Sequence, residues 1–280
     1  MIRETASDRD GSPEARELYI DLLKRSVSNL LYDDDLDLMR GKLALDPLTG
    51  KFVTAEPAPA TNAQRYNGEI WPSRAHTMIG IPRLENLQRC VESVLREGTP
   101  GDLLEAGVWR GGATIFMRGI LKAHGVRDRS VWVADSFRGL PAERPPEERL
   151  DSQPELHKFK ELAVSLSEVR ANFERYGLLD DQVRFLEGWF ESTLPEAEIE
   201  RLAVMRVDCD LYESTMDALV NLYDRVSPGG FVIVDDYGTI PGCNQAVDEF
   251  RAGRGISEEL TFILGTGAFW KKQAPPRRTV

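Results

Sequence analysis

The chain has 280 residues, room for one large α/β domain with an appendage, and its 41% hydrophobic and 29% charged residues are ordinary for a folded globular protein. A formal charge of -11 argues against nucleic acid or an anionic membrane as partner. Cys90, Cys209 and Cys243 form neither a paired framework nor a C-x-x-C site, the N-terminus carries no basic-then-apolar leader, and no apolar run reaches the roughly 18 residues of a membrane span, so a cytoplasmic setting is expected.

The first predicted element is a helix over 13–31, where Leu18, Leu22, Leu23, Val27, Leu30 and Leu31 recur at spacings of three and four. Such a face packs on the domain or on a second copy, and a homodimer or larger homo-oligomer is expected. The stretch LTGKFVTAEPAPATNAQ reads as a connector or lid, with lid-like character assigned to 53–75. Residues 1–75 are therefore expected as a helical extension, 76–272 as the main domain, and 273–280 as a frayed tail. A second helix begins near Pro82 and stops at Gly98, with Leu84, Leu87, Cys90, Val91 and Val94 on one face.

Beyond it, short apolar runs alternate with helical stretches. Strands are predicted at 102–107, 130–136, 182–189, 202–208 and 230–236, and helices at 112–124, 158–176 and 212–226. That alternation means a mostly parallel sheet with helices on both faces. LTFILGTGAFWKK reads as a hairpin that closes one edge antiparallel.

Open parallel sheets bind ligands outside the carboxyl ends of their strands. The first strand runs into EAGVWRGG, a glycine-containing turn that is not G-x-G-x-x-G. Its bulky residues and Glu105 suit a donor with a positively charged amino-acid end and no phosphate, S-adenosylmethionine, better than a dinucleotide. The second strand ends in Asp135 and Ser136, an acid placed to hold ribose hydroxyls. Trp189, after the third, is either a stacking face for a purine or a large core residue. The fourth and fifth strands end in Asp208 with Asp210 and in Asp235 with Asp236. If VDCDL stays extended, Asp208 and Asp210 point the same way and Cys209 the other. Carboxylates gathered at neighbouring strand ends form the all-oxygen environment that magnesium or calcium prefers. No Ser-His-Asp arrangement, Walker loop or H-E-x-x-H is present, and His76, His124 and His157 lie apart in sequence.

Taken in order, HTMIGIPRLENLQRCVE, LLEAGVWRGGATIFMRGIL, VWVADSFRGLP, GWFESTLP, RVDCDLYESTMDAL and PGGFVIVDDYG resemble the macrocin O-methyltransferase (TylF-like) family of antibiotic tailoring enzymes, and the resemblance covers nearly the whole chain. Within that family the chain looks most like the noviose 4-O-methyltransferases of novobiocin-type aminocoumarins. The resemblance implies a Rossmann-like class I methyltransferase fold with a seven-stranded sheet. It implies S-adenosylmethionine as methyl donor, Mg2+ as required metal, and a small-molecule glycoside whose sugar hydroxyl is methylated. Carried over block by block, it puts the donor's methionine end against Thr77, Met78, Glu105 and Gly107, with Ala106 and Val108 along the same turn. Asp135 takes the ribose, Ser136 and Trp189 lie near the adenine, Asp208, Asp235 and Asp236 hold the metal, and Asp210 stands where a general base is expected. A catechol-type phenolic O-methyltransferase is the alternative, although such enzymes place a lysine after the first metal aspartate and DCDLYEST has none. A nicotinamide oxidoreductase lacks its glycine fingerprint here, and a non-catalytic cofactor-binding protein would not be expected to keep every acid at the metal edge.

Overall fold

The computed structural model describes residues 12–32, 35–38, 44–45, 52–53, 59–141, 156–264 and 266–274. A short antiparallel pair, β1 (Ala44–Leu45) and β2 (Phe52–Val53), precedes the main sheet. The five apolar runs form β3 (Asp102–Ala106), β4 (Val131–Asp135), β5 (Val183–Glu187), β6 (Leu202–Val207) and β7 (Val226–Val234), and the last stretch supplies β8 (Thr261–Phe262) and β9 (Ala268–Lys271). The seven strands lie in the order β5-β4-β3-β6-β7-β9-β8. Pairings from β5 across to β7 are parallel, and β9 runs antiparallel to both β7 and β8. The chain builds outward from β3 through β4 to β5, then returns to lay β6 and β7 on the other side. Strand order therefore reverses between β3 and β6, the switch point at which an open α/β sheet keeps its ligand crevice.

Period-two alternation in the strands supplies two cores. Leu103 and Val204 face the core shared with α1 (Pro13–Val27), α3 (Gly80–Glu97), α4 (Gly112–Ala123) and α5 (Leu166–Arg175). Leu104 and Met205 face the opposite core, shared with α7 (Tyr212–Leu222) and α8 (Pro241–Arg254). Each fully buried Leu, Ile or Phe in these layers contributes about 1.5–3 kcal/mol. This is the class I methyltransferase architecture, as expected. Two short helices, α2 (Asn62–Asn67) and α6 (Phe190–Thr193), complete the set. None of the described helices is long and apolar enough to cross a membrane.

Some boundaries differ from the sequence reading for identifiable reasons. The helix expected over 158–176 begins at Leu166, because the Ser165 hydroxyl caps it by accepting from the Glu168 amide, and the residues before it form two 3-10 turns. Strand β7 starts at Val226, well before the predicted 230, since Pro228 and Gly229 sit in a register irregularity of a continuing strand and not in a separate turn. Helix α1 stops at Val27, and its expected apolar stripe divides. Ile20, Leu23 and Val27 enter the core against α4, where Gly119 permits the approach, since a Cβ there would lie 2.1 Å from Leu23 Cδ2. Leu18 and Leu22 stay 72% and 54% exposed.

Of the 53–75 stretch, 54–58 lies outside the described residues, as do 1–11 of the expected extension and 275–280 of the expected tail. The part from 59 onward is pinned. Helix α2 starts with a reciprocal capping box between Thr61 and Gln64. Buried Asp35 accepts from the Ser73 hydroxyl and the amides of Arg74 and Ala75, and the Arg110 guanidinium takes the carbonyls of Pro72, Ser73 and Ala75. Residues 72–78 are thereby laid across the turn that follows β3.

That turn depends on one missing side chain. Gly107 has φ 83, and a Cβ there would lie 1.8 Å from the Asp208 carbonyl oxygen. Gly107→Ala should therefore combine left-handed strain of about 1–2 kcal/mol with overpacking of about 1–3 kcal/mol. Chemical denaturation should show a loss of that order; an unchanged midpoint would mean that the ends of β3 and β6 can separate freely.

Candidate active site

The carboxyl ends of β3 to β7 form one edge of the sheet, and the chain turns there in conformations that ordinary residues avoid. Trp109, Phe137 and Asp210, following β3, β4 and β6, have φ of 48°, 54° and 55°. Left-handed non-glycine residues cost energy and persist only where their surroundings hold them, which makes three at one edge a functional sign. Trp109 is held by its indole N–H on the Glu161 carbonyl and by the Arg110 guanidinium 4.2 Å above its ring. Phe137 is held through its amide, which donates to Asp135 Oδ1 at 2.7 Å.

Asp135 also accepts from the Val108 amide, through Oδ2 at 2.8 Å, so one carboxylate fixes the turns after both β3 and β4. Burial raises its pKa, against the pull of those amides. The Ser136 hydroxyl donates to the Gly139 carbonyl at 2.7 Å and accepts from the Arg138 amide, closing its own turn. Ala106 is a core residue whose carbonyl receives the Asp208 amide, and Val108 is buried in the upper core. Trp189 stands 36% exposed ahead of α6, so it is not the large core residue that was its other reading. Thr77 and Met78 reach the same edge because the Gly112 amide, at the start of α4, donates to the His76 carbonyl at 2.8 Å.

The acidic pairs do meet. One carboxylate oxygen from each of Asp208, Asp235 and Asp236 lies within 4.8 Å of the others. Asp210 stands beside this trio but not within it. The expectation that VDCDL stays extended does not hold: β6 ends at Val207, the chain turns at Asp210, and the Leu211 amide donates to the Cys209 carbonyl. That turn starts α7 and points the Asp210 amide at Asp236 Oδ2, 3.1 Å away.

Two arginines complete the edge. Arg206, within β6 and with 2% of its side chain exposed, pairs through Nη1 with Glu105 and with Asp208 Oδ2 at 2.8 Å, and through Nη2 with Asp235. Arg83, in the first turns of α3, pairs with the other oxygen of Asp235 and donates to the carbonyls of Gly68, Met78 and Ile79. The sequence reading missed both. The signal for Arg206 was present in LAVMRVD, since a charged residue inside a buried strand has to meet opposite charge. Arg83 carried no local signal.

Burial, and then crowding by like charges, set the electrostatics at this edge. Burial, and then the charge of Asp235, push Asp208 up to about 6 despite Arg206. Burial, then Asp208 and Asp235, push Asp210 up to about 8. Asp236 is also raised, by burial and then by Asp210, Asp208 and Asp235. Burial lifts Glu105 to about 8 against the pull of Arg206, and its Oε2 is buried with no hydrogen-bond partner among the described residues. Burial opposes the charge on Arg206, but Asp235, Asp208 and Glu105 hold it protonated.

The sequence matches the Macrocin-O-methyltransferase (TylF) family over residues 16–272. It is 53% identical to mycinamicin III 3''-O-methyltransferase of Micromonospora griseorubida, across 92% of this chain and 97% of that one. It is 48% identical to demethyldecarbamoylnovobiocin O-methyltransferase of Streptomyces niveus, across 97% and 98%. The solved structure of the O-methyltransferase NovP superimposes with a TM-score of 0.81 at 48% identity, covering 92% of this chain and all of that one.

Carboxyls that hold protons more tightly when folded than in the unfolded chain, where an aspartate titrates near about 3.9, lose stability as pH rises toward their folded values. With Asp208 near 6 and Asp210 near 8, thermal stability of the chelator-treated protein should fall from about pH 4 to about pH 8, most steeply below pH 6 where both carboxyls contribute. Each kcal/mol corresponds to roughly 2–4 °C. Asp210→Asn should flatten the decline when melting is followed across that range, and a melting temperature that rises with pH instead would contradict this charge assignment.

Proposed function

The chain belongs to the macrocin O-methyltransferase family, and from that premise we propose that it transfers the methyl group of S-adenosylmethionine to a sugar hydroxyl of a glycosylated antibiotic, with magnesium at the acidic edge. The observation that carries this reading is the charge of the site. Among the described residues Glu105, Asp208, Asp210, Asp235 and Asp236 face Arg83 and Arg206, so five carboxyls fully ionised against two guanidiniums would leave a formal surplus of three negative charges, which the raised carboxyls relieve by holding protons until cations arrive. A divalent cation and a sulfonium together carry three positive charges.

The residues present suit both groups. Asp208, Asp235 and Asp236 offer hard oxygen donors within reach of a common ion, the donor set magnesium prefers over softer sites. The partnerless Glu105 Oε2 suits the ammonium of the donor's methionine end, with Thr77, Met78 and Gly107 around it. Asp135 would receive ribose hydroxyls on lone pairs not used by the Val108 and Phe137 amides, and exposed Trp189 offers a face to adenine beside the Ser136 turn. S-adenosylmethionine supplies an electrophilic methyl group on a neutral-leaving sulfide. Magnesium supplies positive charge that orients a hydroxyl and makes it more acidic.

Asp210 serves as the base. A sugar hydroxyl is almost fully protonated at neutral pH, and a base works best when its own pKa lies near the working pH, toward which burial, and then the charges of Asp208 and Asp235, raise Asp210. Its left-handed turn holds it next to the metal acids without using it as one of them. Asp210 therefore takes the proton as the oxygen gains the methyl group.

The three buried free thiols fit a cytoplasmic setting, and the exposed Leu18 and Leu22 of α1 support the homo-oligomer expected from the sequence. Relatives that act on mycinamicin III and on demethyldecarbamoylnovobiocin both suggest glycosides as the acceptors to try, including the noviose 4-hydroxyl of an aminocoumarin.

The test is methyl transfer by chelator-treated protein to desmethyl aminocoumarin and macrolide glycosides, with and without magnesium, beside a simple catechol. Turnover should require magnesium and a glycoside. Asp208→Ala should abolish it with loss of magnesium binding, whereas Asp210→Asn should keep magnesium binding and slow the reaction by about 10²–10⁴-fold. Wild-type rates in Asp210→Asn would remove it as the base, and turnover of the catechol alone would overturn the sugar acceptor.

A further inference from the structure

Arg206 is set apart from the other charged residues of the sheet by what its two terminal nitrogens reach. Nη1 is shared between Glu105 on β3 and Asp208 Oδ2 just after its own strand, and Nη2 holds Asp235 Oδ1 just after β7. One planar group thus spans three adjacent strand ends from beneath, with 2% of its side chain exposed. Asp208 meets Arg206 through its Oδ2. Asp235 is clamped a second time, by Arg83 through Oδ2.

We propose that Arg206 is a positioning residue for the metal edge, its guanidinium fork fixing the orientation of Asp208 and Asp235 so that one oxygen of each, with one of Asp236, makes a single cation seat. The proposal rests on the magnesium reading above. The fork is the necessary feature. A carboxylate on a flexible Asp side chain rotates, and two Asp residues with like charge move apart unless something between them fixes both. Arginine donates from two nitrogens at fixed angles, whereas a lysine ammonium is a point charge that cannot hold two strand ends in one plane. Groups that orient metal ligands from behind typically alter metal affinity about 10–100-fold when replaced.

A purely structural ion pair would behave differently, and the molecule contains one for comparison. Arg118 on α4 is also buried and forks onto Asp180 and Gln182, far from the acidic edge in the sequence of strands and touching none of its carboxylates.

The experiment compares the wild-type chain with Arg206→Lys and Arg118→Lys. Magnesium binding to donor-free protein is measured by calorimetry, thermal unfolding is recorded on the same samples, and turnover is followed against magnesium concentration. Arg206→Lys should bind magnesium about 10–100-fold more weakly, with a matching rise in the magnesium requirement and a kcat largely recovered at saturation. Arg118→Lys should lose thermal stability and keep its magnesium affinity. If Arg206→Lys does not fold, the pair Glu105→Gln with Arg206→Gln, which removes the fork together with one of its three carboxylates and leaves the net charge unchanged, should show the same weakened binding. Wild-type magnesium affinity in Arg206→Lys, or an equal loss in Arg118→Lys, overturns the positioning role alone; no magnesium binding by the wild-type chain sinks the metal reading and this proposal with it.

Discussion

The arrangement at the carboxyl edge depends on the pairing of one buried guanidinium with carboxylates from three strands. Like charges about 4 Å apart repel by about 4 kcal/mol each at an effective dielectric near 20, so Glu105, Asp208 and Asp235 would not stand together unaided. Arg206 reaches all three from a strand whose remaining residues are apolar. Desolvating it is expensive, and a buried ion pair is poor evidence of stability. What it provides is geometry. The sheet register aligns Glu105 with Arg206 on the neighbouring strand, and the adjoining β7 delivers Asp235. Strand pairing, set by hydrophobic burial, therefore decides which charges meet.

A second set of contacts brings the N-terminal segment to the same place. Asp35 gathers the chain at Ser73, Arg74 and Ala75 while Arg110 collects carbonyls of the same segment, so residues 72–78 are gripped on both sides. Arg83 then ties the carbonyls of Gly68 and Met78 to Asp235. The helical extension is in this way wired into the acidic edge, and its Ile20, Leu23 and Val27 share the main core. Of the segment that composition marks as a connector or lid, Gly68 and residues 72–75 are thus held at the site.

Much of this was legible in the sequence because it follows from period and punctuation. The alternation of apolar runs and helical stretches gave the sheet and its hairpin, and acids after two apolar runs marked the edge where three of them meet. What was not legible required partners far away in the chain. The turn at Asp210 arises from the start of α7 and from Asp236, so its departure from an extended path could not be read from VDCDL. Arg83 looks like any helix-surface arginine until its helix is docked. The Pro-Gly-Gly within β7 has turn chemistry locally, and only its neighbours β6 and β9 keep it in the sheet. Leu18 and Leu22 satisfy the helical period as well as Leu23 does, and period alone does not say which stripe the domain covers.

The charge surplus also bears on why this edge suits methyl transfer in particular. On the proposed reading, the site's five carboxyls, once ionised, exceed its two guanidiniums by three charges, and the balance is met when a dication and the donor, with a net charge of plus one, are bound. Transfer leaves the donor as a neutral sulfide, so one positive charge disappears from the site. Asp210, accepting the acceptor's proton, loses one negative charge in the same event, and the balance is kept. A carboxyl set among like charges gains a proton more readily than an isolated one, because protonation relieves repulsion. The crowding that makes these carboxylates costly to gather is thus the property that lets one of them end the reaction protonated.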